Sequence, residues 1–328
     1  MHPEQILIAI EELWNLTQNP NKPASEIINE YTRSRRYIGS KDRKQIVNAV
    51  WDRWRQKDYP TWLKDKIKNF TQEWDAMNLN QAPTVLRVNG DRIKIKKELE
   101  KEEIQTTFTE KSPLGLVLEK RINLNALKAF KDGLIEVQDE GSQLIGLAVQ
   151  AQPNERILEL CAGAGGKSLL FAQVMQNKGL IIASDISERS LNELKKRAQR
   201  AKASIIQTKI NIPNEKFDAV VIDAPCSGTG TYRRAPDNVH KLTIDQFNKI
   251  LQTQKELLEK ALSYVHENSR ICYMTCSLTE DENVNQITDF LNRHADWVLV
   301  DEQHFTPATT NTDGFYIATL KKNKIHSD

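Results

Sequence analysis

The chain predicts a doubly wound, mostly parallel α/β sheet, and three observations carry that expectation. From Gly133 onward, apolar stretches of strand length at 135–137, 157–160, 180–184, 203–207, 219–222 and 270–275 alternate with helical stretches, the order that builds βαβ crossovers. The second of these runs into a glycine-rich turn, Cys161-Ala-Gly-Ala-Gly-Gly-Lys167, where a ligand can approach the backbone without meeting a Cβ. The last two break into small polar turns that each carry a cysteine, Asp223-Ala-Pro-Cys-Ser-Gly228 and Tyr273-Met-Thr-Cys-Ser-Leu278. Open α/β sheets gather their ligands beyond the carboxyl ends of the strands, so Cys226 and Cys276 are expected to face one crevice.

Helical periodicity marks residues 1–75, with Ile6, Leu7, Ile10, Leu13 and Trp14 in one stretch, Ile27 and Ile28 in the next, and Ile46, Val47, Val50 and Trp54 in a third. Gly39-Ser-Lys-Asp42 reads as a turn feeding a capped helix. Residues 83–89 and 114–118 read as strands around a short helix at 93–99, which makes 80–130 a small α/β subdomain. Residues 133–328 then form the doubly wound domain. Three domains suit a length of 328 residues, and a hydrophobic content of 39% is enough for a core. No apolar run approaches the ~18 residues of a membrane span, and no basic segment followed by an apolar one opens the chain. A cytoplasmic protein with no membrane partner is expected. Four cysteines, without a C-x-x-C pair or a nearby histidine, give neither a disulfide scaffold nor a metal site. Cys272, mid-strand, is expected in the core.

Net charge is only +2, but residues 31–57 hold nine Lys/Arg (Arg33, Arg35, Arg36, Lys41, Arg43, Lys44, Arg53, Arg55, Lys57) against Asp42 and Asp52. Such density suits a phosphate-binding face. Trp51, Trp54, Tyr59 and Trp62 are interleaved with it and offer stacking surfaces for unpaired bases, although Trp51 and Trp54 also fit the core stripe of their helix. The run at 195–202 reads as a solvated helix face.

The glycine turn is not a phosphate-binding P-loop, because Cys161 occupies the position of that motif's first glycine. Asp185 ends the next strand about 20 residues on, where an acid would hold a ribose or cap the following helix. Hydride-transferring nicotinamide enzymes have no need of two cysteines. S-adenosyl-L-methionine offers an electrophilic methyl group, and C5 of cytosine is too poor a nucleophile to take it unaided. A thiolate added to C6 turns C4–C5 into an enamine that can attack. A carboxyl at N3, and a second thiol or a water to remove the C5 proton, complete the requirement. Cys226, Cys276 and Asp223 supply these groups.

The turn Asp223-Ala-Pro-Cys-Ser-Gly-Thr-Gly-Thr231 with Arg233-Arg-Ala-Pro-Asp237, the turn Tyr273-Met-Thr-Cys-Ser-Leu278 with Glu280-Asp-Glu-Asn283, and Val137-Gln-Asp-Glu-Gly-Ser-Gln143 together resemble the RsmB/Sun family of RNA 5-methylcytosine methyltransferases. The resemblance spans residues 82–322, and the helical start resembles a shortened NusB-like region of bacterial members. It implies a Rossmann-like methyltransferase sheet, Cys276 as the nucleophile at C6, Cys226 as the thiol that releases product, and Asp223 at the base edge. It also implies that Cys161, Ala162, Gly163, Ala164, Gly165, Gly166, Lys167, Asp185, Arg189, Asn211 and Asp223 hold S-adenosyl-L-methionine, with Lys167 also touching the active site. Gly163 and Ala164 depart from the family's usual Ala-Pro, and Asn211 stands where many members carry an aspartate. The partner implied is RNA, 16S ribosomal RNA ahead of tRNA, bound by a monomer without a metal. Rival readings are a DNA cytosine methyltransferase using Glu282-Asn-Val284, a catalytically silent ribosome assembly factor, and an oxidoreductase.

Overall fold

The computed structural model describes residues 1–70, 72 and 82–323. Helices α1 (Pro3–Thr17), α2 (Ala24–Ser34) and α3 (Ser40–Gln56) bury Ile6, Ile10, Leu13, Ile27, Ile28, Ile46, Val50 and Trp54 against one another. Their three- and four-residue spacing puts these side chains on facing stripes. Trp54 is fully buried and donates its indole N–H to Thr17 Oγ1 at 3.2 Å. α3 begins after Gly39 without a side-chain cap, so the expected capping by this turn is not made. α4 (Thr61–Lys66) follows, and the boundary expected near residue 75 lies outside the described residues.

The small sheet runs β2-β3-β1-β4, all antiparallel, from β1 (Thr84–Val88), β2 (Thr106–Phe108), β3 (Gly115–Leu118) and β4 (Ile135–Val137). α5 (Arg92–Lys101) covers it with Ile95 and Leu99. β4 corrects the sequence reading: it does not open the large sheet but pairs with β1, Val88 opposite Ile135 and Leu86 opposite Val137. The opposite face carries Arg87 and Glu136 beside Val85 and Val117, and its charged pair docks on the large domain. Gln173 donates to Val88 O at 2.8 Å, Arg87 donates to Gln173 Oε1, and Glu136 accepts from Arg197 and Arg200. The run at 195–202 is therefore a solvated face only in part: Lys195, Lys196 and Lys202 are exposed, while the two arginines bridge domains.

The large sheet orders β10-β11-β9-β8-β5-β6-β7. Its strands are β5 (Arg156–Leu160), β6 (Leu180–Ser184), β7 (Ile206–Lys209), β8 (Phe217–Asp223), β9 (Val265–Thr275), β10 (Trp297–Phe305) and β11 (Phe315–Lys322). Only β11 runs antiparallel to its neighbours; β7 starts three residues later than expected. Side chains alternate across a strand, and here both faces are covered, so the strands read as continuous apolar runs. Leu158, Leu160, Val220, Ile222 and Tyr273 face α10 (Ile244–Ala261) and α11 (Val284–Arg293), whereas Ile157, Ala219, Val221, Cys272 and Met274 face α6 (Glu140–Ala148) and α7 (Gly166–Val174). Helices α8 (Glu188–Arg200) and α9 (Pro236–Lys241) complete the set used below. Strand order reverses between β5 and β8, and ligands of such sheets bind at that switch point. No helix among the described residues is long and apolar enough to cross a membrane.

Candidate active site

The turns after β8 and β9 meet because their strands are parallel neighbours, and Ala224 N–H extends the pairing to Met274 O at 2.9 Å. Beyond that bond the two cysteine sulfurs lie 3.1 Å apart, and Cys276 N–H points to Cys226 Sγ at 3.4 Å. Gly230 locks the turns together: its N–H donates to Cys276 O at 2.9 Å, and a Cβ there would stand 2.1 Å from Gly314 O. Only glycine allows that approach.

Beneath the turns lies Glu282, fully buried. Its carboxylate accepts from Ser227 N–H at 2.7 Å, Ser227 Oγ at 2.5 Å, Thr279 Oγ1 at 2.8 Å, Gln254 Nε2 at 3.2 Å and Ser277 Oγ. Ser227 follows Cys226 and Ser277 follows Cys276, so one carboxylate fixes the spacing of both thiols. Enclosed by these donors, Glu282 is withheld from the crevice. Sequence reasoning placed it in Glu280-Asp-Glu-Asn283 and in Glu282-Asn-Val284 but missed that it ties the two cysteine turns together.

Lys167, in the first turn of α7, donates to Asp223 Oδ2 at 2.6 Å. Burial alone would depress its ammonium, but Asp223 and the nearby Cys276 hold it above its ordinary value. Glu159, at the end of β5, is fully buried and accepts from Ser168 Oγ; burial pushes its carboxyl up to about 8. Burial thus favours the neutral carboxyl on Glu159, while Asp223 is the hydrogen-bonded partner of Lys167. The two thiols are shifted in opposite directions. The Cys226 hydrogen bond favours a thiolate on Cys276, whose pKa falls despite burial, with Lys167 aiding. Cys226, donating that bond and buried, is pushed well above the usual thiol value.

The glycine turn after β5 faces β6. Gly163 N–H donates to Asp185 Oδ2 at 2.8 Å, Ala162 N–H to Ser184 O at 3.0 Å, and Ala164 O accepts from Arg197 at 2.7 Å. Cys161 sits in the left-handed region at φ 58°, and burial, then Asp185, pushes its thiol up to about 12. Gly165, at φ 80°, is packed so closely that a Cβ would stand 1.9 Å from Leu194 Cδ1. Gly166 opens α7. Asp185 does not cap α8: Ser187 does, accepting from Ser190 N–H, while Asp185 Oδ1 accepts from Ser187 N–H at 2.7 Å. Arg189 lies exposed in the first turn of α8, and Asn211 lies exposed just past β7. Two apolar residues that the sequence reading did not single out flank this rim: Ile186, 99% exposed, and Ile210, 53% exposed.

A cavity of about 640 Å³ opens over Cys226 and Cys276. Its far wall comes from the helical N-terminal unit, which is joined to the catalytic turn through α9. His240 is stacked between Trp54 and Tyr59, with ring centroids 5.6 and 5.8 Å away, and burial, then Lys57, pushes its pKa down to about 4. Tyr232 OH donates to Trp54 O at 3.2 Å. The aromatics expected as stacking platforms pack largely within the protein: Trp54 and the half-buried Tyr59 at this joint, Trp62 against Phe247, and Trp51 half-buried against the bundle core. The basic face is also partly neutralised, with Arg35 on Glu12, Arg53 on Glu11 and Arg55 on Asp52; Arg33, Arg36, Lys41 and Lys44 stay exposed.

A family model described as 16S rRNA methyltransferase RsmB/F matches residues 146–321. Ribosomal RNA small subunit methyltransferase B of Proteus mirabilis is 33% identical over 279 residues, covering 80% of this chain and 66% of that protein. The probable counterpart of Synechocystis sp. is 28% identical, covering 94% of this chain and 81% of its own. The chain thus spans just under two thirds of the Proteus relative. Among solved structures, PH0851 superposes with a TM-score of 0.77 at 27% identity over 91% of this chain and 76% of its own. NSun6 from Pyrococcus horikoshii with SFG gives 0.71 at 18% identity over 80% and 96%, a likeness of fold.

Proposed function

Because the chain belongs to the 16S rRNA methyltransferase RsmB/F family, we propose that it transfers a methyl group from S-adenosyl-L-methionine to C5 of a cytosine in RNA, ribosomal RNA before tRNA. The observation that carries this reading is the pair of thiols 3.1 Å apart at the carboxyl ends of β8 and β9, one inclined to thiolate and the other to thiol. Two relatives, from Proteus and Synechocystis, bear the name ribosomal RNA small subunit methyltransferase B. All the groups required come from one chain, as a monomeric enzyme needs.

The residues present suit the cofactor. Gly163 has nothing within 4 Å of where a Cβ would stand, Asp185 keeps a second lone pair on each oxygen for ribose hydroxyls, and Ile186 and Ile210 offer apolar faces to an adenine. SFG, present with NSun6, is an analogue of the same cofactor. Bound there, S-adenosylmethionine would supply an electrophilic methyl on its sulfonium. Gly165→Ala tests the turn: with φ at 80° and Leu194 in the way, it should cost roughly 1–3 kcal/mol of stability. Cofactor affinity, read by calorimetry, should fall with it.

The base must be flipped out of its stack to reach the crevice. Asp223 and Lys167 present an acceptor and a donor to its edge. Cys276 thiolate forms the Sγ–C6 bond, and the C5–C6 electron pair moves to C5, which takes the methyl group. Once its sulfur is a thioether, Cys276 no longer accepts the Cys226 hydrogen bond, and the main cause of the raised Cys226 pKa disappears. Cys226 then loses its proton to water and accepts the C5 proton; the Sγ–C6 pair returns to Cys276. The release thiol is thereby activated only after the adduct has formed. Residues 1–75 and the small sheet unit serve as RNA-contacting parts around this centre, the latter extended to Val137 by β4.

Bisulfite sequencing of total RNA from cells with and without the gene tests the reading. One cytosine should lose protection when the gene is absent. An unchanged map would sink the substrate assignment.

A further inference from the structure

We propose that residues 20–23, Pro-Asn-Lys-Pro between α1 and α2, form a wall of the catalytic cavity that grips the RNA strand beside the target cytosine, Lys22 and Lys249 taking phosphates and Asn21 a neighbouring base edge. The proposal rests on the RNA methyltransferase reading and specifies which part of the N-terminal unit carries substrate selection.

These four residues stand more than 200 positions before the cysteines in sequence, yet line the same cavity. Their backbone is held on both sides by α9: Lys241 Nζ donates to Lys22 O at 2.7 Å, and Asp237 Oδ2 accepts from Ala24 N–H at 2.8 Å. Two prolines restrict the segment further. A short stretch so fixed presents its side chains in one geometry, as a specificity surface must. Among the described residues the charges lining the cavity are all positive, Lys22, Lys241 and Lys249. Lys241 is committed to Lys22 O and to Asp237 at 3.3 Å, which leaves Lys22 and Lys249 for a ligand. Lys22 pairs with Glu30 at 2.6 Å, but that pair is solvent-exposed, and such pairs contribute little and exchange readily for a phosphate. At about 640 Å³ the cavity lies in the range, ~300–1,000 Å³, of sites for ligands larger than one base. A polyanionic strand that presents phosphates and base edges together fits this lining, while the outer basic face is partly spent on its own carboxylates.

The test uses the full chain and a transcript of small-subunit ribosomal RNA. Lys22→Gln/Lys249→Gln should raise KM for the transcript about tenfold with kcat within about twofold. The log–log salt slope of binding should fall by about 0.7 for each phosphate of a single strand that the variant no longer neutralises. Lys178→Gln, on the exposed loop before β6 at the opposite end of the sheet, should behave as wild type. Asn21→Ala should relax the preference read from transcripts randomised beside the cytosine. An unchanged KM and slope in the double variant, or a fall confined to kcat, would overturn the proposal. A wild-type protein that methylates no RNA at all would instead overturn the underlying functional reading, and this inference with it.

Discussion

Cys276→Ala is expected to abolish methyl transfer, by at least on the order of 10³-fold, and to form no protein–RNA adduct, whereas Cys226→Ala stops at an adduct that survives denaturant. Without Cys276 there is no thiolate to saturate C5–C6, and C5 remains too weak a nucleophile. Without Cys226 the addition still proceeds, but the base that takes the C5 proton is missing and the Sγ–C6 bond persists. A denaturing gel with labelled transcript separates the two outcomes, and an adduct from Cys276→Ala would reverse the roles. The pH dependence carries a second signature. Adduct formation in the wild type should rise with pH through a value below that of an ordinary thiol, because the Cys226 hydrogen bond stabilises the Cys276 thiolate. Cys226→Ala removes that bond, so the rise should move to higher pH; Lys167→Met should move it in the same direction, since the ammonium also favours the thiolate.

Glu282→Ala is expected to be the most damaging change outside the cysteines. It leaves Ser227 N–H, three hydroxyls and the Gln254 amide without their shared acceptor in a fully buried site. Breaking a buried polar network of this kind costs roughly 3–4 kcal/mol, which urea unfolding would read as a lower midpoint. Activity should fall further than stability explains, because the two cysteine turns lose their common tie and misplacement by about 1 Å can cost 10²-fold. Glu282→Gln retains the volume but brings donors among donors, and should fall between. An alanine variant as stable and active as wild type would show that the turns hold their spacing without it.

The sheet was legible at β5, β6, β8 and the end of β9, since unbroken apolar runs such as 219–222 have few other uses, but β11 was not read as a strand although it is buried on both faces. β10 escaped notice because Val298, Leu299 and Val300 are exposed and Asp301 to His304 are polar, which leaves only Trp297 and Phe305 at its ends to pack inward. β4 was legible as a strand but not as a member of its sheet, because a three-residue strand carries no information about its partner. The thiol turns and the glycine turn announced themselves through residue types with few structural uses in those contexts. The role of Glu282 did not, because it comes from five donors contributed by three separate segments. The helix stripe already favoured the core for Trp51 and Trp54, but whether Tyr59 and Trp62 stack on a base or fill a joint depends on elements far along the chain.

That distance has a consequence for how the molecule comes into being. Ala24 and Asp237 are separated by 213 positions, and synthesis at roughly 5–20 residues per second puts roughly 10–40 seconds between their appearances. The helical bundle has its own packed interior around Trp54 and can fold first, but its surface for α9 stays uncovered until the sheet is more than half made. The chamber over the cysteines is therefore closed late, by a piece made early, and nascent chains pass through a stage in which the bundle is folded and the chamber has no far side.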